Sequence, residues 1–197
     1  MIAMRCQWAT HHQLEQEYHD TEWGIPVYDD RKLFELLTLE GAQAGLSWLT
    51  VLKKRKNYIE LFSKFDIEQV SQYDEHQIAA ILKNPGIIRH KLKINSVVIN
   101  AKAILKVRED YGRFAKYIWS FVDFKPLQNE FKSINDVPAE TEISKRMSKD
   151  LKKRGFKFVG STICYAFMQA AGLVNDHTTD CFRHSYIKNR GRHPFPG

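Results

Sequence analysis

The sequence predicts an all-α protein. Apolar residues recur at helical spacing along almost the whole chain of 197 residues, whereas strand-like alternation never persists for more than a few positions. Hydrophobic residues make up 43% and charged residues 27% of the chain, a balance that is typical of globular proteins with a sizeable core. No repeat or obvious linker divides the sequence. We therefore expect one helical domain over residues 1–182 and a basic, flexible tail over residues 183–197. An arrangement of the domain in two lobes would also fit the sequence.

Capping residues mark the predicted helices in the first half of the chain. Thr10 and Gln13 form a capping box that opens a short first helix. Asp29 or Asp30 caps a second helix that runs to about Ala44, because an aspartate side chain accepts the free N–H groups of a first turn. The caps predicted for the next three helices are Ser47, Asp66 and Asp74.

A turn separates these helices from those of the second half. The Asn84-Pro85-Gly86 sequence predicts the turn, and a long helix follows from about Arg89 to Glu109. Further helices are predicted over residues 113–121, 141–153 and 161–172, the last of them capped by Ser161.

The charge balance favours an anionic partner. Lysine and arginine number 30 against 23 aspartates and glutamates, which gives a net charge of +7 and favours nucleic acid, with a basic enzyme that lacks such a partner as the alternative. No apolar run approaches the ~18 residues of a membrane span, and no secretory signal opens the chain. The odd, low count of 3 cysteines indicates a reducing compartment, so we expect a cytoplasmic protein without a membrane partner.

Two pairs of residues at opposite ends of the chain suggest a metal site. Cys6 and His19 bracket the first predicted helix, and His177 and Cys181 lie one helical turn apart. Two thiolates and two imidazoles complete a tetrahedral zinc site, so we expect one structural Zn²⁺ per chain that clamps the N-terminal segment to the C-terminal one.

The spacing leaves other interpretations of these residues open. The two cysteines can be unrelated free thiols, and the histidines can be surface residues. The possible substitute ligands are His11, His12 and His184. Cys164 lies in an apolar helical segment, where a core position is the simpler interpretation.

Glu40 lies on an otherwise apolar helical face. The residues that share this face are Leu33, Leu36, Leu37 and Ala44. A carboxylate there is withdrawn from water, which is unfavourable unless it finds partners. It lines a ligand pocket, or it is bonded internally to an amide or an arginine. Glu35, one turn earlier, is expected at the surface.

Aromatic residues are expected to surround Glu40. The small residues after it permit a tight turn that brings Trp48 close, and Tyr18 adjoins the proposed ligand His19. An aromatic ring beside a sheltered carboxylate suits a flat, cationic or amino-bearing ring. Trp8 and Trp23 are further candidate walls, with core packing as the alternative.

Long ordered runs of the sequence resemble the bacterial 3-methyladenine DNA glycosylase I family. The runs are Tyr18-His19-Asp20-x-Glu22-Trp23-Gly24, residues 39–55 from Leu-Glu-Gly to Lys-Lys-Arg, Gly86-Ile87-Ile88-Arg89-His90, residues 151–160 and Gly172-Leu173-Val174-Asn175-Asp176-His177. They follow one another from Cys6 to about Cys181. Runs of this length are far more specific than a four-residue metal pattern.

The resemblance implies a helix-hairpin-helix glycosylase with a structural zinc held by Cys6, His19, His177 and Cys181. It implies base-pocket roles for Glu40, Trp48 and Tyr18. The implied enzyme is a monomer that hydrolyses the N-glycosidic bond of 3-methyladenine in alkylated double-stranded DNA and releases the free base. The family often has a second pocket tyrosine at the position where this chain has Glu15. Either another aromatic residue replaces that tyrosine in the pocket wall, or the pocket is more polar than is usual in the family.

Residues for holding DNA follow from the same interpretation. Leu46, on a short turn, is a plug for the gap left by an extruded base, with an ordinary core position as the alternative. The turn with Gly86 and Arg89 opens a helix whose N–H groups meet a phosphate, and Lys53 lies in a basic run. Glu40 accepts from the base's amino group, or it activates water as a general base. No lysine stands in an apolar pocket, so no Schiff base is expected.

Two other functions fit the sequence. The first is a zinc-stabilised DNA-binding module without catalysis, in which replacing Glu40 changes no activity. The second is a small-molecule metalloenzyme, which needs an open coordination position on its metal.

Overall fold

The computed structural model describes residues 4–190, 195 and 196, and its architecture is mostly helical, as predicted. The ten α-helices of this part are α1 (Gln13–Thr21), α2 (Asp30–Gln43), α3 (Trp48–Leu61), α4 (Ile67–Ser71), α5 (Glu75–Lys83), α6 (Lys91–Tyr111), α7 (Phe114–Ser120), α8 (Glu142–Lys153), α9 (Ser161–Ala170) and α10 (Phe182–Arg190). Two-residue strands, β1 (Leu127–Gln128) and β2 (Val174–Asn175), and three short 3₁₀ turns complete the architecture.

Helix α2 lies at the centre of the fold. Every residue from Leu33 to Ala42 is buried, and the helix packs against α3, α6, α7 and α9. A helix that is buried on all sides has no solvent face, so a polar residue within it must face another side chain or a cavity. This position places Glu40 inside the molecule.

Four of the predicted helix caps are confirmed. The side chains of Asp29, Ser47, Asp66 and Asp74 each accept a backbone N–H in the first turn of the helix that follows. Because such a cap satisfies N–H groups that have no partner within the helix, it fixes where the helix begins.

Two predicted helix caps were wrong, and one predicted helix start differs by two residues. Thr10 ends the 3₁₀ turn Gln7–Ala9, and His12 caps α1 through its Nδ1 atom, which accepts from Leu14 N at 3.1 Å. Helix α6 begins after His90 rather than at Arg89. Helix α9 begins after Gly160, without a side-chain cap.

The two strands, which the sequence did not predict, tie a long loop to the C-terminal segment. They pair in parallel with Leu127 opposite Val174, and Leu127 N donates to Leu173 O at 2.9 Å. Two residues are too few for an alternating pattern, so no periodic signal marks them. The pairing brings the loop between α7 and α8 over one side of α9.

The C-terminal segment, which was predicted as a flexible tail, begins with helix α10. Ile187 is fully buried, and Asn175 Nδ2 donates to His184 O at 3.1 Å. The Phe195 ring packs 5.3 Å from that of Tyr28. Residues 191–194 and 197 lie outside the described part, and the domain boundary at 182 stays a prediction.

None of the helices in the described part is long and apolar enough to cross a membrane.

Candidate functional site

A cavity of about 260 Å³ opens between α1, α2, α3 and α9. Four aromatic residues line it, namely Trp8, Tyr18, Trp23 and Trp48. Its polar lining consists of Glu15, Glu40, Gln43, Gln169 and Asp176, and its other apolar residues are Ile134, Val137 and Ala166. The volume is close to the lower end of the usual range for small-molecule sites, roughly 300 Å³. The cavity therefore suits a ligand as small as a single heterocycle.

Glu40 places its carboxyl group in this cavity. The residue is 5% exposed, and its carboxyl oxygens have no hydrogen-bond or ion-pair partner among the described residues. Burial raises the pKa of this carboxyl group to about 8, because the charged form loses its hydration without compensation. The alternative in which Glu40 is bonded internally to an amide or an arginine is therefore wrong.

The aromatic walls carry polar atoms that lack partners. The rings of Tyr18 and Trp48 lie 5.2 Å apart at an angle of 49°. Tyr18 Oη and Trp48 Nε1 are buried, and neither has a hydrogen-bond partner in the described part of the chain. Buried polar atoms are rarely left without partners in folded proteins. These two atoms therefore indicate that the cavity receives a ligand with complementary groups.

Trp8 and Trp23 serve the core as well as the cavity. Their rings lie 5.1 Å apart, Trp8 packs 5.5 Å from the His19 ring, and Trp23 packs 4.6 Å from the His177 ring. The two interpretations offered for these residues, pocket wall and core packing, are thus not exclusive. Their packing connects the cavity directly to the predicted metal ligands.

The polar residues on the opposite side of the cavity were not predicted from the sequence. Asp176 accepts from Tyr165 Oη at 2.6 Å, Gln169 Nε2 at 2.8 Å and Asn129 Nδ2 at 2.6 Å. Because both its oxygens are occupied, Asp176 is a structural acceptor that orients Gln169. No local signal marks these residues, since they come from three separate segments. Glu15 is half-buried at the margin of the cavity.

The prediction that Glu35 lies at the surface was wrong. Glu35 is 8% exposed and accepts from Arg55 Nε at 2.7 Å. Arg55 also binds both oxygens of Glu22, at 2.8 and 2.7 Å. Burial alone would raise the pKa of Glu22, but the hydrogen bonds and the charge of Arg55 lower it to about 2. The Arg55 guanidinium lies 5.8 Å from the Tyr18 ring, so this ion cluster supports one wall of the cavity.

The four predicted metal ligands meet in a buried cluster beside the cavity. The ligand atoms of Cys6, His19, His177 and Cys181 all lie within 4.8 Å of one another. His177 Nδ1 lies 3.2 Å from His19 Nε2 and 3.6 Å from each cysteine sulfur, and Cys181 Sγ lies 3.4 Å from His19 Nε2. The cluster could hold a metal ion, and it excludes the interpretation of unrelated thiols.

Groups around the cluster orient these side chains. The outward nitrogens of both histidines have acceptors: His19 Nδ1 lies 2.8 Å from Asp20 Oδ1, and His177 Nε2 lies 3.1 Å from Trp23 O. Such partners are usual for metal-binding histidines, because they fix the ring and its tautomer. The Cys6 thiol, as donor to Cys181, lowers the pKa of the Cys181 thiol and so favours a thiolate there.

The three histidines considered as substitute ligands lie outside the cluster. His11 is exposed, His12 caps α1, and the His184 ring contacts Asn129 O at 3.0 Å. Cys164 is fully buried in the core, as expected.

The residues predicted to hold DNA lie on the turns before α3 and α6 and on the second turn of α3. Leu46 is 41% exposed on the turn between α2 and α3, so a core position is excluded. Lys53 and Arg89 are exposed. Gly86 packs against α3, where an added Cβ would lie 2.7 Å from Asn57 Cγ.

The segment 84–90 joins α5 to α6 and differs in detail from the expectation. The Gly86 N–H donates to Asn84 Oδ1 at 2.7 Å, so it is not free for a phosphate. The N–H groups of Arg89, Lys91 and Leu92 have no acceptor in the described part of the chain. These three groups, at the start of a long helix, are the ones available to an anion.

One lysine of the described part is buried, but it lies among backbone carbonyls and not in an apolar pocket. Lys93 is 9% exposed, but its ammonium group donates to backbone carbonyls at the end of α2 and does not line the cavity. No lysine occurs among the described residues that form the cavity wall.

Comparison with known proteins finds similar chains that are described as methyladenine glycosylases. A family model described as methyladenine glycosylase matches residues 8–184. The DNA-3-methyladenine glycosylase of Haemophilus influenzae is 50% identical over 180 residues, which cover 91% of this chain and 97% of that protein.

Solved structures agree with this similarity. A crystal structure of 3-methyladenine DNA glycosylase I is 52% identical, covers 92% of this chain and 100% of its own, and superposes with a TM-score of 0.88. A second structure describes 3-methyladenine recognition by the Staphylococcus aureus glycosylase; it is 39% identical, covers 91% of this chain and 96% of its own, and has a TM-score of 0.89.

Proposed function

The chain belongs to the methyladenine glycosylase family, and we propose that it hydrolyses the N-glycosidic bond of 3-methyladenine in alkylated DNA, as the first step of base-excision repair. The products are free 3-methyladenine and an abasic site. The absence of lysine from the described cavity lining supports a monofunctional enzyme, since no amine is placed to attack the sugar.

The chemistry of the damaged base explains how a single sheltered carboxylate suffices. Methylation at N3 gives the base a positive charge, so the base departs as a neutral molecule and needs little proton donation. The usual pair of carboxylates that protonates a leaving group and activates water is then unnecessary. The described cavity accordingly presents one carboxyl group that is both buried and unpartnered, that of Glu40. Asp176 is occupied by its own donors, and Glu15 is only half-buried at the margin.

Different residues of the cavity contact different parts of the extruded base. The rings of Tyr18 and Trp48 border the flat base, Trp8 and Trp23 close the aromatic wall, and Glu40 accepts from the exocyclic amino group. A nearby positive charge favours the ionised form of a carboxyl group, so the methylated base promotes loss of the Glu40 proton. The ionised carboxylate then stabilises the cation in a site sheltered from water.

DNA is held through its phosphates without regard to sequence. We assign the helix-hairpin-helix motif to α5, residues 84–90 and α6, because the N–H groups at the start of α6 lack acceptors in the described part. Gly86 packs the hairpin against α3, and Arg89 and Lys53 add positive charge. Leu46 fills the gap that the extruded base leaves in the stack.

Zinc is the metal that fits the buried cluster. Tetrahedral bonds of about 2.3 Å to sulfur and about 2.0–2.1 Å to nitrogen require S···N separations of about 3.5 Å and an N···N separation of about 3.3 Å. The three S···N distances quoted above are 3.4–3.6 Å, and the N···N distance is 3.2 Å. Four protein ligands leave no open position, so the metal stabilises the fold and takes no part in the reaction.

We also propose that the enzyme works as a monomer in the cytoplasm. The three cysteines form no disulfide, which supports the reducing compartment. Four protein ligands to the metal also argue against a small-molecule metalloenzyme, because such an enzyme needs an open coordination position.

The observation that carries this proposal is the buried, unpartnered carboxyl group of Glu40 in an aromatic cavity. We expect Glu40→Gln to slow the release of 3-methyladenine from methylated duplex DNA by about 100-fold or more, because it removes the charge that stabilises the cation. Affinity for undamaged DNA should not change. The measurements are single-turnover release of the free base and DNA binding at fixed salt.

Glu17→Gln, an exposed substitution on α1, is the matched control and should excise at the wild-type rate. Equal release by Glu40→Gln and wild type would reject the role of Glu40. A wild-type protein that binds methylated DNA but releases no base would instead be a non-catalytic DNA-binding module. If Glu40→Gln slowed only the attack of water on the sugar, and not the breaking of the bond between base and sugar, Glu40 would be assigned as a general base.

A further inference from the structure

Lys93 is a buried cation that connects two turns of the proposed DNA-binding face. It lies in the first turn of α6 and is 9% exposed. Its Nζ atom donates to Ala42 O at 2.9 Å and to Ala44 O at 2.5 Å. Both carbonyls belong to the C-terminal end of α2 and to the turn that follows it.

The location of this cation is unfavourable for α6 and favourable for α2. A positive charge in a first turn opposes the helix dipole, and burial of an ammonium group removes its hydration. Burial accordingly lowers the pKa of Lys93. The last carbonyls of a helix lack partners and carry partial negative charge, so the ammonium group compensates the end of α2. Stability of α6 alone gives no reason for a lysine here.

The turn that Lys93 holds carries Leu46 at its tip. Gly45 adopts a φ of +78°, and Leu46 N donates to Gln43 O at 2.7 Å, which projects the 41% exposed Leu46 side chain outward. Glu40 precedes this turn and Trp48 follows it. The position of the turn therefore sets both the exposed leucine and the spacing between a carboxyl group and a ring of the cavity.

The same lysine is fixed at its backbone to the hairpin. Lys93 N donates to His90 Nδ1 at 3.3 Å, and the free N–H groups of Arg89, Lys91 and Leu92 lie just before it. One residue thus joins the groups that face a phosphate to the turn that carries Leu46. Its ammonium group points into the protein, toward carbonyls, rather than toward DNA.

We propose that Lys93 is a positioning residue for base excision, which holds the Leu46 turn at a fixed position relative to the hairpin. The inference rests on the proposed glycosylase function. When the hairpin contacts a phosphate, the bridge from α6 to α2 places Leu46 opposite the extruded base. Without the bridge, the turn is no longer held in a fixed position relative to the hairpin. The protein then still binds DNA, but it excises the base slowly.

The test compares Lys93→Met, Lys93→Arg and Lys102→Met with wild type. We expect Lys93→Met to reduce single-turnover release of 3-methyladenine from methylated duplex DNA by about tenfold or more, since misplacement by about 1 Å has effects of this size. Binding of undamaged DNA and its salt dependence should be unchanged. Lys93→Arg, which keeps the charge and the donors, should restore part of the rate. Lys102 is exposed further along α6, and its substitution should have no effect.

A double-mutant cycle with Leu46→Ala identifies the route of the effect. If Lys93 acts through the turn, Lys93→Met should add little to the loss caused by Leu46→Ala. Fully additive losses, or an unchanged rate in Lys93→Met, would overturn the proposal. The slope of the logarithm of the DNA-binding constant against the logarithm of salt concentration gives a further test. A decrease of about one in the magnitude of this slope in Lys93→Met would also overturn the proposal, because it indicates that Lys93 contacts a phosphate directly.

Two further measurements keep the outcome interpretable. If circular dichroism shows that Lys93→Met is unfolded, Lys93→Gln takes its place in the same comparisons. Hydrogen exchange of the Leu46 amide should be faster in the variant than in wild type, while amides of α9 stay unchanged; equal exchange at Leu46 contradicts the inference. A wild-type protein that releases no 3-methyladenine refutes the proposed function, whereas the exchange measurement still decides whether Lys93 orders the turn.

Discussion

Burial of the Glu40 side chain favours the neutral form of its carboxyl group. It is buried without a partner in the described part, and its pKa is raised to about 8, so at neutral pH most empty sites hold the protonated acid. A cationic base supplies the positive charge that the protein withholds. Arg55 and Lys93 are cations that the fold uses elsewhere, on Glu22 and Glu35 and on backbone carbonyls. Glu40 is therefore the acceptor with which a positively charged ring can pair in the cavity.

This protonation state makes the stability of the protein depend on pH. The Glu40 pKa is 4.5 in the unfolded chain and about 8 in the folded one, so the folded protein binds the extra proton between these values. Wild-type stability therefore falls as pH rises through this window. Glu40→Gln removes the effect, and we expect its advantage in free energy of unfolding to grow from near zero at pH 4.5 to on the order of 5 kcal/mol above pH 8.

Urea unfolding of both proteins across this pH range measures the difference. Shared contributions, including those of the metal ligands, cancel in the comparison. Glu17→Gln is the control and should show no growing advantage. A constant difference between Glu40→Gln and wild type would mean that Glu40 is ionised, and therefore solvated or paired, in the empty site.

Sequence patterns located one side of the cavity and not the other. Glu40 could be predicted as a site residue because its neighbours at helical spacing are all apolar, and this pattern lies within one helix. Gln169 and Asp176 face it from α9 and from the segment after β2, and nothing local distinguishes them from surface residues. The error at Glu35 has the same origin, because its partner Arg55 lies on α3.

Helix starts could be predicted where a side chain provides the cap. The side chains of Asp29 and Ser47 each accept a hydrogen bond from a backbone N–H of the first turn. Aspartate and serine are preferred at this position, so the caps can be predicted from the sequence. Helix α9 begins after Gly160 with no side-chain cap, so only the surrounding tertiary structure defines its start. The two-residue strands likewise depend on a partner more than 40 residues away, which local patterns do not encode.

The end of α9 depends on a glycine that no other residue can replace. Gly172 adopts a φ of +71°, and an added Cβ would lie 2.4 Å from both Ile25 C and Pro26 N. These atoms are backbone, so they cannot rotate away. The contact joins α9 to the segment that leads into α2. We expect Gly172→Ala to destabilise the fold by more than about 3 kcal/mol or to prevent folding, since overpacking adds to backbone strain.

Gly112 offers a matched comparison at the end of α6. Its φ is +77°, and nothing lies within 4 Å of an added Cβ. Gly112→Ala should therefore carry only the strain of a left-handed conformation, about 1 kcal/mol. Thermal and urea unfolding of the two variants measure the difference. Equal destabilisation would show that backbone strain alone, and not the contact with Ile25 and Pro26, explains the glycine at position 172.

The two ends of the chain meet in one structural unit that also supports the cavity. Phe182 N donates to Met4 O at 3.0 Å, and the proposed metal ligands bring positions 6 and 19 next to positions 177 and 181. The N-terminal segment carries Trp8, Tyr18 and Trp23, three of the four aromatic walls. Spacing could suggest the two ligand pairs, but only the fold brings pairs so distant in sequence together.

Removal of the metal should therefore affect the cavity as well as stability. We expect the purified protein to hold one zinc per chain, and we expect chelation to lower the melting temperature and the affinity for free 3-methyladenine together, because metal binding contributes folding free energy. Cys181→Ala should reproduce both losses. Cys164→Ala, at a buried cysteine outside the cluster, should retain one zinc and should keep its affinity for the base. Zinc analysis by mass spectrometry, thermal unfolding and calorimetric binding of the base test these expectations. If chelation lowered stability but left base affinity intact, the N-terminal walls would be held by their own packing, and the metal would act on the fold alone.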